Sequence, residues 1–428
     1  MGRGLLFLTG GMLIVVGIIQ LGINNRQQML PQRTIEYHTE NQSKNITTSL
    51  IDYAISEIRE DQEWKGSGGN GFTSSDFLGG EGSIRVYDRD DFLDSTVDVP
   101  DNSIPFWNEF TLLLHATASY EGKEIETEVM LTKDAFSKFS YFTDVEQSNI
   151  WFFGGDELTG RVHSNGQLNI AGDPTFHGLV TSTQMYREHS GGADPQFLGG
   201  TIFDHEAIDL PTDDQLDILR AASNNGGIKF DHEVFITLNS DGTTRILENV
   251  NGNWNNNPVE HNFTLSNYNG VISSSEKVYI KGQLKGQLTV HSEDDIEILG
   301  DLTYSEDPRD NPASSDILGL VSEAQVLVDD DAHRDNGSQN LEIHASIMAL
   351  DRSFTVEDYW EGSPKGELRI LGGLIQERRG PVGTFSGGSL RSGFSKNYEY
   401  DERLERMFPP SFPRESFFSV IYWKDNPQ

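Results

Sequence analysis

The chain has 428 residues, 36% of them hydrophobic, enough to bury at least one sizeable core and to fill two or three domains, which excludes a disordered protein. Its formal charge of −35, from 67 acidic against 32 basic residues, repels nucleic acid and anionic lipid, so no nucleic-acid partner is expected. Cysteine is absent, which excludes disulfides, thiolate metal sites and a cysteine nucleophile, but not export, because a domain of this size needs no covalent staples.

The acidic residues are spread along the chain, so they describe a uniformly acidic surface that suits high salt, where screening relieves self-repulsion. In chain order, the first element is an apolar run from Leu5 to Ile23, broken only by Thr9, Gln20 and a few glycines. At ~1.5 Å per residue it reaches about 28 Å, close to the ~30 Å hydrocarbon core of a bilayer. Arg3 precedes it and the long acidic remainder follows, which places the bulk of the protein outside the cytoplasm. No small-x-small cleavage site follows the run, so it reads as a retained anchor rather than a removed secretory signal.

A leader and transmembrane helix over 1–30 then gives way to an amphipathic stalk over 31–65. Between Thr34 and Trp64, Ile46, Leu50, Tyr53, Ala54 and Ile58 recur at spacings of three and four and mark one apolar helical stripe. Pro31 is expected to interrupt or kink a helix continuing from the membrane segment, or to start the second one.

A short Arg-containing leader ending in Gly4, an apolar helix, an amphipathic helix and a β domain together resemble the type IV pilin-like proteins, notably their larger minor-subunit (PilX-like, pseudopilin) class. The resemblance implies processing between Gly4 and Leu5 and packing of the apolar helix into a filament bundle. The chain departs from the major pilins at Thr9, where they carry a glutamate that neutralises a neighbouring subunit's amino terminus. That departure favours a minor or tip-located subunit over a repeating one, and a plain single-pass anchor is the simpler alternative.

Residues 66–83 contain GSGGNG and LGGEGS and read as a flexible Gly/Ser-rich linker. A small antiparallel β domain is expected over 84–148, from the strand-like runs Ile84 to Tyr87, Phe110 to Ala118 and Ile125 to Leu131, with a hairpin turn at Tyr120-Glu121-Gly122-Lys123. From 149 to 395 short strands are punctuated by glycine. An alternation of apolar and polar residues followed by a small residue recurs at Leu168 to Gly172, Ile296 to Leu302, Leu341 to Ile347 and Leu368 to Leu374. With Val278 to Gly282 and Leu288 to His291 this suggests the stacked coils of a β-solenoid (β-helix), with a β-sandwich as the structural rival. The fold class expected is thus mainly β behind an amino-terminal α-helix. A capped helix is expected over Thr212 to Ala222 and a loop over Asn249 to Asn257.

A second resemblance, from about Trp151 to Pro413, is to an uncharacterised domain family found behind pilin-like amino termini in bacterial surface proteins. It is carried by Gly160 to Gly166, Leu210-Pro211, Ile343 to Ala345, Gly372 to Gln376, Arg379 to Gly383, Lys396 to Leu404 and Pro409 to Pro413. It implies architecture and a surface context, and no catalytic residue.

Candidate chemistry is sparse. Asp204-His205-Glu206 and Asp231-His232-Glu233 carry ligand types for a divalent metal, but adjacent strand residues point to opposite faces. Asp88, Asp90 and Asp91, and Asp329, Asp330 and Asp331, offer calcium-type oxygens without the spacing of an EF-hand loop. A polysaccharide-processing site along a solenoid groove would draw on Arg161, His163, His177, His291 and His344 with paired carboxylates. No catalytic, cofactor or metal residue is assigned, and Gly4 and Leu5 are the one processing site expected. At the carboxyl end, Tyr398, Tyr400, Phe408, Phe412, Phe417, Phe418, Tyr422 and Trp423 crowd into a 396–428 segment expected to cap the solenoid.

The expectation is a membrane-anchored, extracytoplasmic structural subunit that takes part in pilus or secretion-filament assembly or in adhesion. Its partners would be other pilin-like subunits or membrane assembly machinery, the membrane itself, and a surface or polysaccharide ligand. The alternative is a membrane-tethered polysaccharide-active enzyme.

Overall fold

The computed structural model describes residues 2–69, 71–100, 108, 110–386 and 389–427, with side chains of the first helix described at 12, 15, 16, 18–20 and from 33 onward. The chain is mainly β and divides into two compact units, one made of 1–133 and 417–428, the other of 134–416.

In the first unit, helix α1 spans Gly2–Glu60 as one element. The interruption expected at Pro31 is not found, and Pro31 lies inside the helix. Four of the five residues of the predicted stripe pack, with Ile46, Leu50 and Ala54 fully buried and Ile58 2% exposed, whereas Tyr53 is 37% exposed. They lie against one face of a sheet built from β1 (Phe72–Phe77), β2 (Gly80–Tyr87), β3 (Thr111–Tyr120), β4 (Lys123–Ala135) and the carboxyl-terminal strand Arg414–Pro427, in that order. Ile84, Leu112, Leu114, Ala116, Ala118, Val129 and Leu131 supply the sheet side of that core.

Two-residue turns with positive φ close both hairpins, because their twist matches that of the flanking strands. Glu121 (φ 48) and Gly122 (φ 81) join β3 to β4 as the sequence predicts. Leu78 (φ 54) and Gly79 (φ 84) join β1 to β2, so the stretch read as a linker over 66–83 is instead mostly a hairpin. Val97, Val99, Tyr87 and Leu113 form a second, smaller cluster in this unit, near the short helix α2 (Arg89–Leu93).

The second unit is built mostly from parallel strands, with antiparallel pairing where Thr243–Glu248 meets Val234–Leu238 and Val259–Thr264 and where Gly383–Ser386 meets Ser389–Glu399. One ladder runs, rung against rung, through Ile228–Phe230, Val271–Ser274, Gln287–Ser292, Ile317–Ser322, Leu341–Ala349, Pro364–Arg378, β5 (Phe139–Val145), Arg161–Ser164, Val180–Ser182 and Thr201–Phe203. The chain therefore enters at an interior rung, β5, and works outward to Thr201–Phe203. It then crosses to the opposite end through helix α3 (Asp213–Asn224) and returns rung by rung until Pro364–Arg378 lies beside β5. A second ladder stacks Val234–Leu238, Val278–Leu284, Ile296–Tyr304, Val326–Val328 and Phe354–Val356. The recurrent pattern found in the sequence is a stacking pattern here: Leu341 pairs with Leu368, Ala345 with Gly372 and Ile347 with Leu374. The small residue is required at Gly372, whose φ is 149 and where a Cβ would stand 1.9 Å from the Ala345 carbonyl oxygen.

The main core lies among these rungs, with Val290, Ile298, Leu320, Ile343, Ile347 and Phe394 all completely buried. A second cluster gathers Phe136, Phe142, Val321, Met348 and Ile375 with Leu216 and Leu219 of α3 and with Phe412. Helix α3 starts as predicted: Thr212 is the N-cap and its N–H donates to the Gln215 side chain at 3.0 Å. The aromatic carboxyl end is not one cap. Tyr400 and Phe412 are buried in the second unit, whereas Phe417, Phe418, Tyr422 and Trp423 lie on the strand that belongs to the first unit's sheet.

Candidate functional site

In the amino-terminal half of α1, Met12, Val15, Val16, Ile18 and Ile19 are 50–67% exposed, followed by Ile35 at 58% and Tyr37 at 71%. Regular burial against the sheet begins only at Thr39. Apolar surface of this kind is unfavourable in water. Gly4 and Leu5 sit in the first turns of this helix, and their side chains, like that of Thr9, lie outside the described residues. Among the described residues no helix is long and apolar enough to cross a membrane.

The candidates for chemistry resolve into structural networks. His291 is fully buried, with Nδ1 2.8 Å from Ser273 Oγ and Nε2 2.9 Å from Glu323 Oε1. That order of groups is a nucleophilic relay in outline, but Ser273 is 1% exposed and Glu323 is already held by Arg220 of α3 at 2.6 Å. A substrate has no path to the hydroxyl, and the network pins α3 to the ladder instead.

His163 is equally buried, between Thr181 Oγ1 at 2.7 Å and Asn165 Oδ1 at 2.8 Å, and burial pushes its imidazole down to about 4. Asn165 in turn accepts the Ile208 N–H at 2.9 Å, tying the crossing segment to the same edge. His344 is 2% exposed, while Arg161 and His177 are exposed and paired with Glu405 and Glu157. The row proposed from the sequence is therefore not a solvent-facing row: three of its histidines are inside.

Asp307, Glu342 and His344 bring ligand atoms within 4.8 Å of one another, as do Glu297, Asp329 and Glu357. The first group is occupied by a side chain: Arg309 Nη2 lies 2.5 Å from Asp307 and 2.6 Å from Glu342. His344 Nδ1 accepts the Tyr304 N–H at 3.1 Å, so Nε2 carries the proton it gives to Glu342, which is the wrong tautomer for a metal at Nε2. In the second group Lys277 already pairs with Glu297. Of the residues singled out in the sequence as metal ligands only Asp329 is in either group, and His344 was singled out there for a groove instead.

Asp88 and Asp91 each meet Lys65 Nζ at 2.6 Å. Asp88 also caps α2, and although burial opposes it, the hydrogen bonds from Lys65 and the Asp91 N–H hold its carboxyl below the usual range. Asp329 accepts the Asp331 N–H at 2.8 Å, and Asp331 pairs with Arg334 at 2.7 Å. His205 is half-buried and faces the Glu206 carbonyl, and His232 shares Glu248 with His261 at 2.9 and 3.0 Å.

An open groove of about 720 Å³ in the second unit is lined by Gly160, Arg161, Pro312, Tyr400, Arg403 and Arg406, among others. Its carboxylates are not a free pair, since Glu405 holds Arg161 at 3.3 Å. A small internal cavity of about 20 Å³, room for one water, is lined by Tyr141, Asp156, Gln376, Arg379, Lys396 and Tyr398.

Sequence reasoning missed two features. Ser164, Ser182, Ser274, Ser292 and Ser322 end rungs, each accepting the N–H two residues on, and all but Ser164 also donate to a backbone carbonyl. Ser292 Oγ donates to the Glu276 carbonyl at 2.9 Å and accepts the Asp294 N–H at 3.1 Å; Ser322 repeats this with Asp294 at 2.8 Å and Ala324 at 3.1 Å. The signal was a serine recurring after each apolar run. The buried Arg379–Glu146 pair left no such signal.

The family described as "Domain of unknown function (DUF4900)" matches residues 111–184. Of the motifs that carry the second resemblance, only Gly160 to Gly166 falls in that segment. No curated protein matches the chain. Among solved structures, the chain is similar to the competence-associated pilin ComZ from Thermus thermophilus at 11% identity, over 91% of this chain and 98% of that one, with a TM-score of 0.35, a likeness too loose to carry an argument.

Proposed function

We propose that the chain is a low-copy, type IV pilin-like (PilX-like or pseudopilin-like) structural subunit. In this reading α1 anchors it in the membrane or in a filament bundle, and the second unit is presented outside the cytoplasm for contact with a surface, matrix or polysaccharide. The observation that carries the reading is α1 itself: one helix whose carboxyl-terminal half packs on its own sheet while Met12, Val15, Val16, Ile18 and Ile19 stay exposed. A helix in that condition needs lipid or neighbouring apolar helices.

The parallel in-register rungs support reading the body as a β-solenoid, a rigid shape suited to display. Nothing in the arrangement of Ser273, His291 and Glu323, or of the groove beside Arg161, favours the polysaccharide-active alternative.

Shearing filaments from cells and comparing filament, membrane and cytosol fractions by quantitative mass spectrometry tests the proposal. The expected result is co-fractionation with filaments or their membrane base, at a small ratio to the major subunit. Recovery only in the cytosol as a soluble monomer overturns it.

A further inference from the structure

The first unit is discontinuous in sequence: residues 134–416 interrupt it between β4 and the carboxyl-terminal strand. The interrupted ends run side by side and antiparallel. Ser419 Oγ donates to the Thr132 carbonyl at 3.4 Å, Lys424 Nζ lies 3.6 Å from Glu128, and Thr127 Oγ1 donates to Asp425 at 3.0 Å. Where the body begins and ends the chain is still paired, with the Phe136 N–H donating to the Pro413 carbonyl at 3.1 Å and Lys138 2.9 Å from Glu415. Antiparallel strands at this spacing are the geometry that a two-residue turn closes, so the sheet needs nothing from the intervening residues to be continuous.

The cores divide in the same way. Among the described residues, the clusters of the first unit draw on residues from Ile46 to Leu131, with Phe418 packed against them. Those of the second draw on residues from Phe136 to Phe412. Each part thus has an apolar core of its own, which is the condition for a domain to be stable by itself.

We infer that residues 134–416 are a self-standing cassette inserted into the last hairpin of a complete five-stranded module, so that the two parts fold and unfold independently. Combined with the proposed function, on which only the naming of roles rests, the module carries assembly and the cassette carries whatever is recognised outside the cell. Recognition is then free to change without altering the residues that join the filament.

Differential scanning calorimetry of the full chain tests the inference with two fully buried substitutions, Leu114→Ala in the module and Ile298→Ala in the cassette. Two transitions are expected, each substitution lowering one of them by roughly 5–15 °C and leaving the other in place. A single transition lowered by both overturns the inference. Should either variant fail to fold, native-state hydrogen exchange on the unaltered chain decides. Amides of β3 and β4 and those of Gln287–Ser292 are expected to report different opening free energies, and one shared value for all of them is the contrary result. Neither readout depends on filaments, so failure of the proposed function leaves this inference standing, and the reverse holds too.

Discussion

Arg379 and Glu146 lie 233 residues apart in the chain, yet Arg379 Nη1 stands 3.3 Å from Glu146 Oε2, with 2% and 1% of the two side chains exposed. They sit at the seam where the first rung laid down, β5, meets the last, Pro364–Arg378, and where Gln376 Nε2 donates to the Tyr141 hydroxyl at 3.2 Å. Arg379 also donates to the Trp151 carbonyl at 3.2 Å and stacks 3.7 Å from the Phe152 ring centre. Removing one partner of a buried pair leaves an uncompensated charge, which costs about 3–5 kcal/mol. Arg379→Met is therefore expected to destabilise the cassette by that amount in urea unfolding. Desolvation already pushes the Glu146 carboxyl up, so it can take up a proton when Arg379 is lost, whereas the Arg379 guanidinium stays charged, and Glu146→Gln is expected to cost at least as much, about 3–5 kcal/mol.

Lys396 lines the small cavity beside the same seam, and burial, followed by repulsion from Arg379, pushes its amine down to about 8. An unfolded lysine titrates near ~10.4, so below about pH 8 both states are protonated and the cost of burying the charge is present in full. Between about 8 and 10.4 the unfolded state binds more protons, and stability rises with pH. Lys396→Met is expected to stabilise the cassette at pH 7 by about 1–3 kcal/mol and to remove that rise, as read from the difference between variant and parent in urea titrations at pH 7 to 9.5.

The features that were legible in the sequence are those set by local physics. The stripe from Ile46 to Ile58 gave the packed half of α1, Glu121-Gly122 gave a hairpin, and Thr212 with Gln215 gave the start of α3. Alternation around Leu341 and Leu368 gave rungs, because burial on one face has period two. What was not legible depends on distant partners. Leu78 at φ 54 is a poor turn residue alone, so its hairpin looked like a linker. No local pattern says that β5 will pair with residues past Leu374, or that the strand carrying Phe417 to Trp423 will leave the body and complete the other sheet. The histidines at 163, 291 and 344 read as a possible groove because their burial is decided by neighbours such as α3.

The serine corners are expected to matter individually. Ser322→Ala loses the bond to the Asp294 carbonyl and leaves the Ala324 N–H without its acceptor, at a cost of about 1–2 kcal/mol. Chemical denaturation should register the loss, and hydrogen exchange should place the faster-opening amides at 322–326.

Arg220 binds Glu323 from α3 through Nε at 3.0 Å and Nη2 at 2.6 Å, and Glu323 in turn engages His291. Arg220→Ala is expected to speed exchange of the α3 amides from Leu216 to Asn224 by about 10- to 150-fold, since a charge-assisted bond is worth roughly 1.5–3 kcal/mol. The rung Gln287–Ser292 beneath should keep its protection.

In the proposed function α1 is retained and serves as the apolar anchor of a pilin-like subunit. Intact-mass and amino-terminal peptide analysis of the native protein taken from the cell envelope decides between that and removal of the segment. A mature chain that begins at Leu5, with residues 1–4 removed and Met12 to Ile19 present, is the expected result. A native chain from which the whole Leu5 to Ile23 run has been cut away is the result that overturns the proposal.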